Sequence, residues 1–282
     1  MTKVTSFPKQ PLSSDDNQEK NHKEYLLLRD AFIRFLNEIE NSQQAWEIME
    51  DIITLRTSFL IDRVLDGMHM DFETALNLLQ RHNAFTTETA KRERNILIAA
   101  INNLVDFAAA EEFAMINEIA AMSTNELPEE IYESICEKYN LHYATVENND
   151  VLYAVGIASW WATQSDETMI TFMTQGDERV REWHRSLEGI TYPKRNFPPE
   201  LIPPIEFSCR CYLMTDSTIS RVTASIPSIE DIKKVVNPAY SESLATGGRI
   251  FSEAHRYFTK EFRTEPHLQK IIFRLKNKLW KQ

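Results

Sequence analysis

The sequence predicts a mostly α-helical protein with a smaller α+β C-terminal domain: an N-terminal helical bundle followed by a compact module of helices and short strands. Three observations lead there. From residue 23 to about 122, apolar residues recur at three- and four-residue steps, interrupted by one glycine and no proline. Near Ser123 the texture changes, and stretches such as ETMITFMTQ (167–175) alternate and are rich in β-formers. Between 192 and 205, five prolines rule out regular sheet throughout.

Taken in order, residues 1–21 carry two prolines and the polar run SSDDNQEKN, the composition of a disordered arm. The helical domain spans 22–123. YLLLRDAFIRFLNEI places Leu28, Phe32, Phe35, Leu36 and Ile39 on one face, and AWEIMEDIITLRTSFLIDRVL does the same with Trp46, Met49, Ile52, Ile53, Leu60 and Val64. Asp71 is placed to cap a short helix, and Thr86 or Thr87 to start a long one that reaches Met122. These stripes need partners, as in a bundle.

The module at 124–258 opens with a short helix in STNELPEEIYESICEKYNL, with Pro128 in its first turn. HYATVENND reads as a connector and VLYAVGIASWWATQ as a helix buried on all sides. ETMITFMTQ is the first strand and FSCRCYLM the second. Between them, Thr174 and Asp177 have capping-box spacing and Gly189 sits where a helix ends, which predicts a helix over 177–188. Residues 259–282 form a basic amphipathic helix.

Composition excludes several function classes. Six glycines, spread along 282 residues, cannot build a dinucleotide loop, a P-loop or a G-x-S-x-G elbow, and no H-E-x-x-H occurs. Three cysteines do not make a disulfide framework. The N-terminal stretch has no apolar core of a signal peptide, and the longest uncharged run falls short of the ~20 residues that span a bilayer. The paired acids Glu111–Glu112 and Glu129–Glu130 read as solvated helix faces rather than catalytic pairs.

Charge is uneven. Overall it is −11, yet residues 249–282 carry +6. Lys270, Arg274, Lys276, Lys278 and Lys281 interleave with Ile271, Ile272, Phe273 and Leu275. Such a helix can pack on the body, bind an acidic partner or contact DNA phosphates. A membrane surface is the weakest of these readings.

The richest constellation is IEFSCRCYLM. On a strand, Cys209 and Cys211 point to one face and Arg210 to the other. On the preceding helix, Arg181 and His184 share a face, and Asp177 is spaced to pair with Arg181. A histidine facing two thiolates supplies three of the four ligands of a structural zinc, with Asp177, His255 or water as the fourth. C-x-C is not the usual knuckle spacing, so a second reading stays open: the cysteines pack as small hydrophobes and His184 hydrogen-bonds in the core.

The ordered run Thr174, Asp177, Arg179, Val180, Arg181, His184, Leu187 and Gly189, then a proline-rich spacer, then Cys209, Arg210 and Cys211, resembles the C-terminal signature of the phage Mu protein F-like minor head proteins. NPAYSESLATGGRIFSEAHRYF (237–258) extends the likeness, which covers about 150–258. The resemblance implies a non-enzymatic minor capsid component of a tailed phage or prophage. It would sit at the portal vertex of the virion head, act in head morphogenesis or DNA delivery, and contact portal and head proteins, with the host cytoplasm as its place of assembly. The residues alone allow an alternative, a metal-dependent nuclease, hydrolase or toxin-related effector using His184 with Arg179 and Arg181 on phosphate. No second histidine stands at ligand spacing to favour it.

Overall fold

A computed structural model describes residues 5–6, 15–39, 42–80, 87–122, 129–215 and 228–281, and among these are α-helices from four to 34 residues long. They are α1 (Asp15–Asn37), α2 (Ser42–Met68), α3 (Phe72–Gln80), α4 (Glu88–Ala121), α5 (Glu129–Glu137), α6 (Ala144–Thr163), α7 (Glu182–Arg185), α8 (Ile229–Val235), α9 (Lys260–Thr264) and α10 (Pro266–Lys281). The Thr74 amide donates to Asp71 Oδ1 at 2.8 Å and the Ala90 amide to Thr87 Oγ1 at 3.2 Å, so both expected caps form. Thr259 caps α9 in the same way, accepting from the Phe262 amide. The protein is mostly α with a small antiparallel sheet late in the chain, as the sequence predicts.

Four strands, β1 (Thr5–Ser6), β2 (Met169–Met173), β3 (Thr191–Pro193) and β4 (Tyr212–Thr215), pair antiparallel in the order β1-β4-β2-β3. The central strand β2 sets Phe172 opposite Leu213 and Ile170 opposite Tyr192. Thr171 and Thr191 add a hydroxyl pair at 2.8 Å across the sheet. β3 lies inside the proline-rich stretch, where Pro193 at a strand end lacks only a donor the ladder does not need.

Several local expectations change. Residues 15–21, read as part of a disordered arm, are the first turns of α1, and Asn21 is buried there; the remainder of that arm apart from Thr5–Ser6 lies outside the described residues. HYATVENND is no connector. A π-helical stretch (Lys138–Tyr143) links α5 to α6, which already begins at Ala144. The polar side chains that made it look like a loop, Glu147, Asn148 and Asp150, are buried.

Two compact units emerge, each assembled from separated stretches: one from Met1–Pro11, Val64–Ala100 and Asp150–His255, the other from Leu12–Arg63, Ile101–Asn149 and Arg256–Gln282. The boundaries expected at 22–123, 124–258 and 259–282 follow the chain, whereas these units do not, because α2, α4 and α6 each contribute to both.

The first unit holds the sheet. Its core joins Tyr153, Ile157 and Trp161 of α6 to Ile170 and Phe172 of β2, and to Phe197, Leu201, Ile202 and Ile205 of the proline-rich stretch. Gly67 of α2 lets that helix pass close to α6: an added Cβ would stand 2.8 Å from the Leu152 carbonyl oxygen.

The second unit is helical and organised around buried charge. Arg56 is 1% exposed. Its Nε donates to Glu111 Oε2 at 2.7 Å, and its Nη1 to Asn148 Oδ1 at 2.7 Å. Glu147 Oε2 lies 3.5 Å from Nη2. Asn148 passes the network on to Asn21 Oδ1 at 2.9 Å, which also accepts from Arg63 Nη2 at 2.9 Å, and Arg63 grips Glu24. So Glu111 and Glu112, read as a solvated face, are fully buried. Burial and the neighbouring Glu111 push the Glu112 carboxyl up to about 8, and the same two causes hold Glu147 well above the usual carboxylate range.

α10 docks on this unit by its apolar stripe, with Leu268, Ile271, Ile272 and Leu275 buried and His267 stacked on Trp46 at 5.0 Å. Its cations are engaged at home: Arg274 pairs with Glu50, Lys278 reaches Glu50 at 3.5 Å, and Lys276 meets Asp106 at 2.6 Å. Of the five basic residues offered for DNA or a partner, Lys270, Arg274 and Lys278 are exposed, Lys276 is half-buried, and the Lys281 side chain lies outside the described residues.

Arg56→Ala should destabilise the chain by about 3–5 kcal/mol in chemical denaturation, since it strands Glu111 and Glu147 in the interior. Glu112→Gln should do the opposite at neutral and alkaline pH. Because the folded carboxyl is raised from 4.5 to about 8, the stability that Glu112 contributes is fully present below about pH 4.5 and is lost as pH rises towards 8. The gain from Gln should therefore grow from about pH 4.5 to 8 and then level off, measured by denaturation midpoints across that range.

Candidate metal centre

The C-R-C segment precedes β4 rather than lying within it, but the expected alternation holds. Cys209 and Cys211 are 0% and 2% exposed and turn inward together, while Arg210 goes the other way and clasps Asp177 through two 2.7 Å bonds. That bidentate clasp holds the Asp177 carboxyl down at about 2. Asp177 therefore does not pair with Arg181.

It does not open a long helix either. Its Oδ1 accepts from the Arg179 amide at 3.1 Å in a local turn, and α7 is only four residues long, with Arg181 at its N-cap. Thr174, the other half of the expected capping box, instead donates to Glu188 Oε2 at 2.6 Å and accepts from the Gly176 amide. Gly189 has φ +85°, which suits glycine, and its amide donates to the Phe172 carbonyl at 2.8 Å, fastening this turn to β2.

α7 carries His184 into the interior, 2% exposed. Its Nδ1 lies 3.1 Å from Cys211 Sγ and 4.0 Å from Cys209 Sγ. Ligand atoms of these three residues all fall within 4.8 Å of one another. Asp177 and His255, offered as fourth ligands, are not in the group. Asp177 is taken by Arg210, and His255 is buried against the Phe207 and Phe251 rings.

The other imidazole nitrogen, Nε2, faces Glu206 Oε2 at 3.4 Å, within ion-pair reach but outside hydrogen-bond geometry. Arg181 Nε stands 3.2 Å from that same oxygen, and its Nη2 donates to the Phe207 carbonyl at 3.1 Å. Arg179, by contrast, is exposed.

The backbone around the cysteines is held from outside. Ser208 sits at φ +56°, a left-handed conformation uncommon for a side chain that is not glycine. Its amide donates to both oxygens of Asp150 at 3.1 and 3.2 Å, and Tyr240 donates to Asp150 Oδ2 at 2.6 Å. The Cys209 amide closes a turn onto the Glu206 carbonyl at 3.1 Å. Gln175 donates to the Arg210 carbonyl at 3.0 Å, and the Tyr153 hydroxyl to that of Cys211.

Burial pushes the Asp150 carboxyl up to about 8, against the pull of Tyr240 and Ser208. For Cys209, burial opposes ionisation, but hydrogen bonds from Cys211 and His184 outweigh it and hold this thiol low; Cys211 keeps its proton and is driven up.

A cleft of about 800 Å³ in the same unit is lined by Arg92, Trp161, Lys194, Phe197 and Lys233, and none of His184, Cys209 or Cys211 borders it. Arg92 and Lys194 there donate to the Ala162 and Gln164 carbonyls that end α6. The centre thus stands apart from this cleft.

Sequence reasoning missed Glu206, Asp150, Tyr153 and Tyr240. Glu206, three residues before Cys209 in an apolar stretch, left a readable signal. Asp150 and Tyr153 are brought in from 58 residues away, and Tyr240 reaches them through Asp150, 90 residues before it. Compared with protein-family models, curated proteins and solved structures, the chain finds no match. No helix among the described residues is long and apolar enough to cross a membrane.

Asp150→Ala removes the acceptor of both Ser208 N–H and Tyr240 O–H. It should cost about 1–3 kcal/mol in chemical denaturation of the full chain.

Proposed function

We propose that the chain is a non-enzymatic minor head protein of a tailed phage or prophage, acting at the portal vertex in head morphogenesis or DNA delivery. One observation supports this reading above the others. The signature residues, spread from 174 to 211, engage one another or the residues beside them as a single interlocked module: Asp177 with Arg210, His184 with Cys211, Thr174 with Glu188, and Gly189 with Phe172. An ordered motif whose members interlock in this way behaves as a folding unit, which is what a resemblance carried by spacing alone requires.

The hydrolase alternative draws no support from the geometry. His184 is buried with one nitrogen on the thiols and the other towards Glu206, and Arg181 is spent on Glu206 and the Phe207 carbonyl. A general base needs a nitrogen within reach of substrate.

The test is the particle itself. Heads induced from a strain encoding this chain, purified on a density gradient and analysed by quantitative mass spectrometry, should contain it at low copy relative to the major capsid protein. Its absence from DNA-filled heads while it persists in the lysate would overturn the proposal.

A further inference from the structure

We infer that His184, Cys209 and Cys211 hold a thiophilic divalent cation, zinc in the cell, as a structural centre of the sheet-bearing unit. This goes beyond the head-protein reading and does not depend on it.

The first support is metric. With Zn–N of about 2.0–2.1 Å and Zn–S of about 2.3 Å, a tetrahedral centre places nitrogen and sulfur about 3.5 Å apart. The Nδ1–Sγ separations of 3.1 and 4.0 Å bracket that edge, each within about half an ångström of it, and all three ligand atoms lie within 4.8 Å of one another. One imidazole nitrogen and two sulfurs select a soft or borderline ion over magnesium or calcium.

The second is the environment of the histidine. A ligating imidazole needs its remote nitrogen oriented by an acceptor, most often a carboxylate. Glu206 stands 3.4 Å from that nitrogen, within ion-pair reach, and Arg181 pairs with the same carboxylate oxygen at 3.2 Å, so a small rotation would complete the hydrogen bond.

The third is the way the sulfurs are aimed. Asp150 fixes the left-handed Ser208 just before them, Gln175 and Tyr153 tie the Arg210 and Cys211 carbonyls, and the Asp177 clasp turns Arg210 outward. Both Sγ atoms are thereby presented to one point by bonds that do not involve sulfur, the preorganisation a metal site requires. Packing two cysteines as small hydrophobes would need none of it.

The full chain should be purified without chelator, its metal content measured, and the stripped protein titrated with cobalt. Expected are about one zinc per chain, a melting temperature that falls on adding chelator, and a cobalt form with a sulfur-to-metal charge-transfer band and tetrahedral ligand-field bands. Cys136→Ser should keep those bands and Cys209→Ser/Cys211→Ser should lose them. Glu206→Gln should keep the stoichiometry while weakening zinc binding about 10- to 100-fold, as loss of an orienting carboxylate does. If the double variant does not fold, the wild-type cobalt spectrum decides alone. A folded wild type without zinc, with a melt indifferent to chelator, or one whose cobalt spectrum lacks the sulfur band, would overturn the assignment.

Discussion

The guanidinium of Arg56 is the constraint on which the helical unit depends. Three carboxylates, Glu111, Glu112 and Glu147, are enclosed around it, more negative charge than one cation neutralises. An interior of low polarity does not tolerate that imbalance, so the structure answers in two ways. Asn148 and Asn21 carry hydrogen bonds outward to the second cation, Arg63. Glu112 and Glu147 are held towards their neutral forms. Helix positions in α1, α2, α4 and α6 are fixed at once, because each contributes a member of the chain of bonds and no member can be moved without stranding another.

The sheet-bearing unit solves a similar problem with different chemistry. Its polar centre is small, an imidazole and two thiols, and a shell of longer-range bonds shapes it. Asp150 bridges to Ser208 and Tyr240, and Arg210 folds back 33 residues to Asp177. Hydrophobic packing by Phe197, Leu201, Ile202 and Ile205 keeps the proline-rich stretch against the core, so the segment between His184 and Cys209 is part of the packed interior.

What could be read from the sequence follows from how far each interaction reaches. The stripes at Leu28, Phe32 and Phe35, the caps at Asp71 and Thr87, and the shared direction of Cys209 and Cys211 are local, set by periods of 3.6 and 2, and they appear where expected. The expected helix over 177–188 fails because its would-be cap is worth more elsewhere: a bidentate arginine outcompetes a first-turn amide for the Asp177 carboxylate. HYATVENND departs from its expected connector for a related reason. Its Glu, Asn and Asp look like the solvated residues of a turn, and nothing in their spacing reveals that Arg56 and Tyr240, tens of residues away, turn them inward. Glu111 and Glu112 are the same case. Polarity on one line of sequence says little about burial when the partner is distant.

The salt bridges of α10 bear on how the protein is perceived from afar. Read along the chain, a segment of +6 follows a remainder of −17, as though the molecule had two electrostatic faces. With Arg274 and Lys278 sharing Glu50, and Lys276 on Asp106, two acids of the remainder offset part of that positive charge within a few ångströms of where it originates. Beyond a Debye length of about 8–10 Å such pairs contribute almost nothing. At such distances the net charge of −11 sets the sign of the potential, which favours the approach of cations over that of anions before any contact is made.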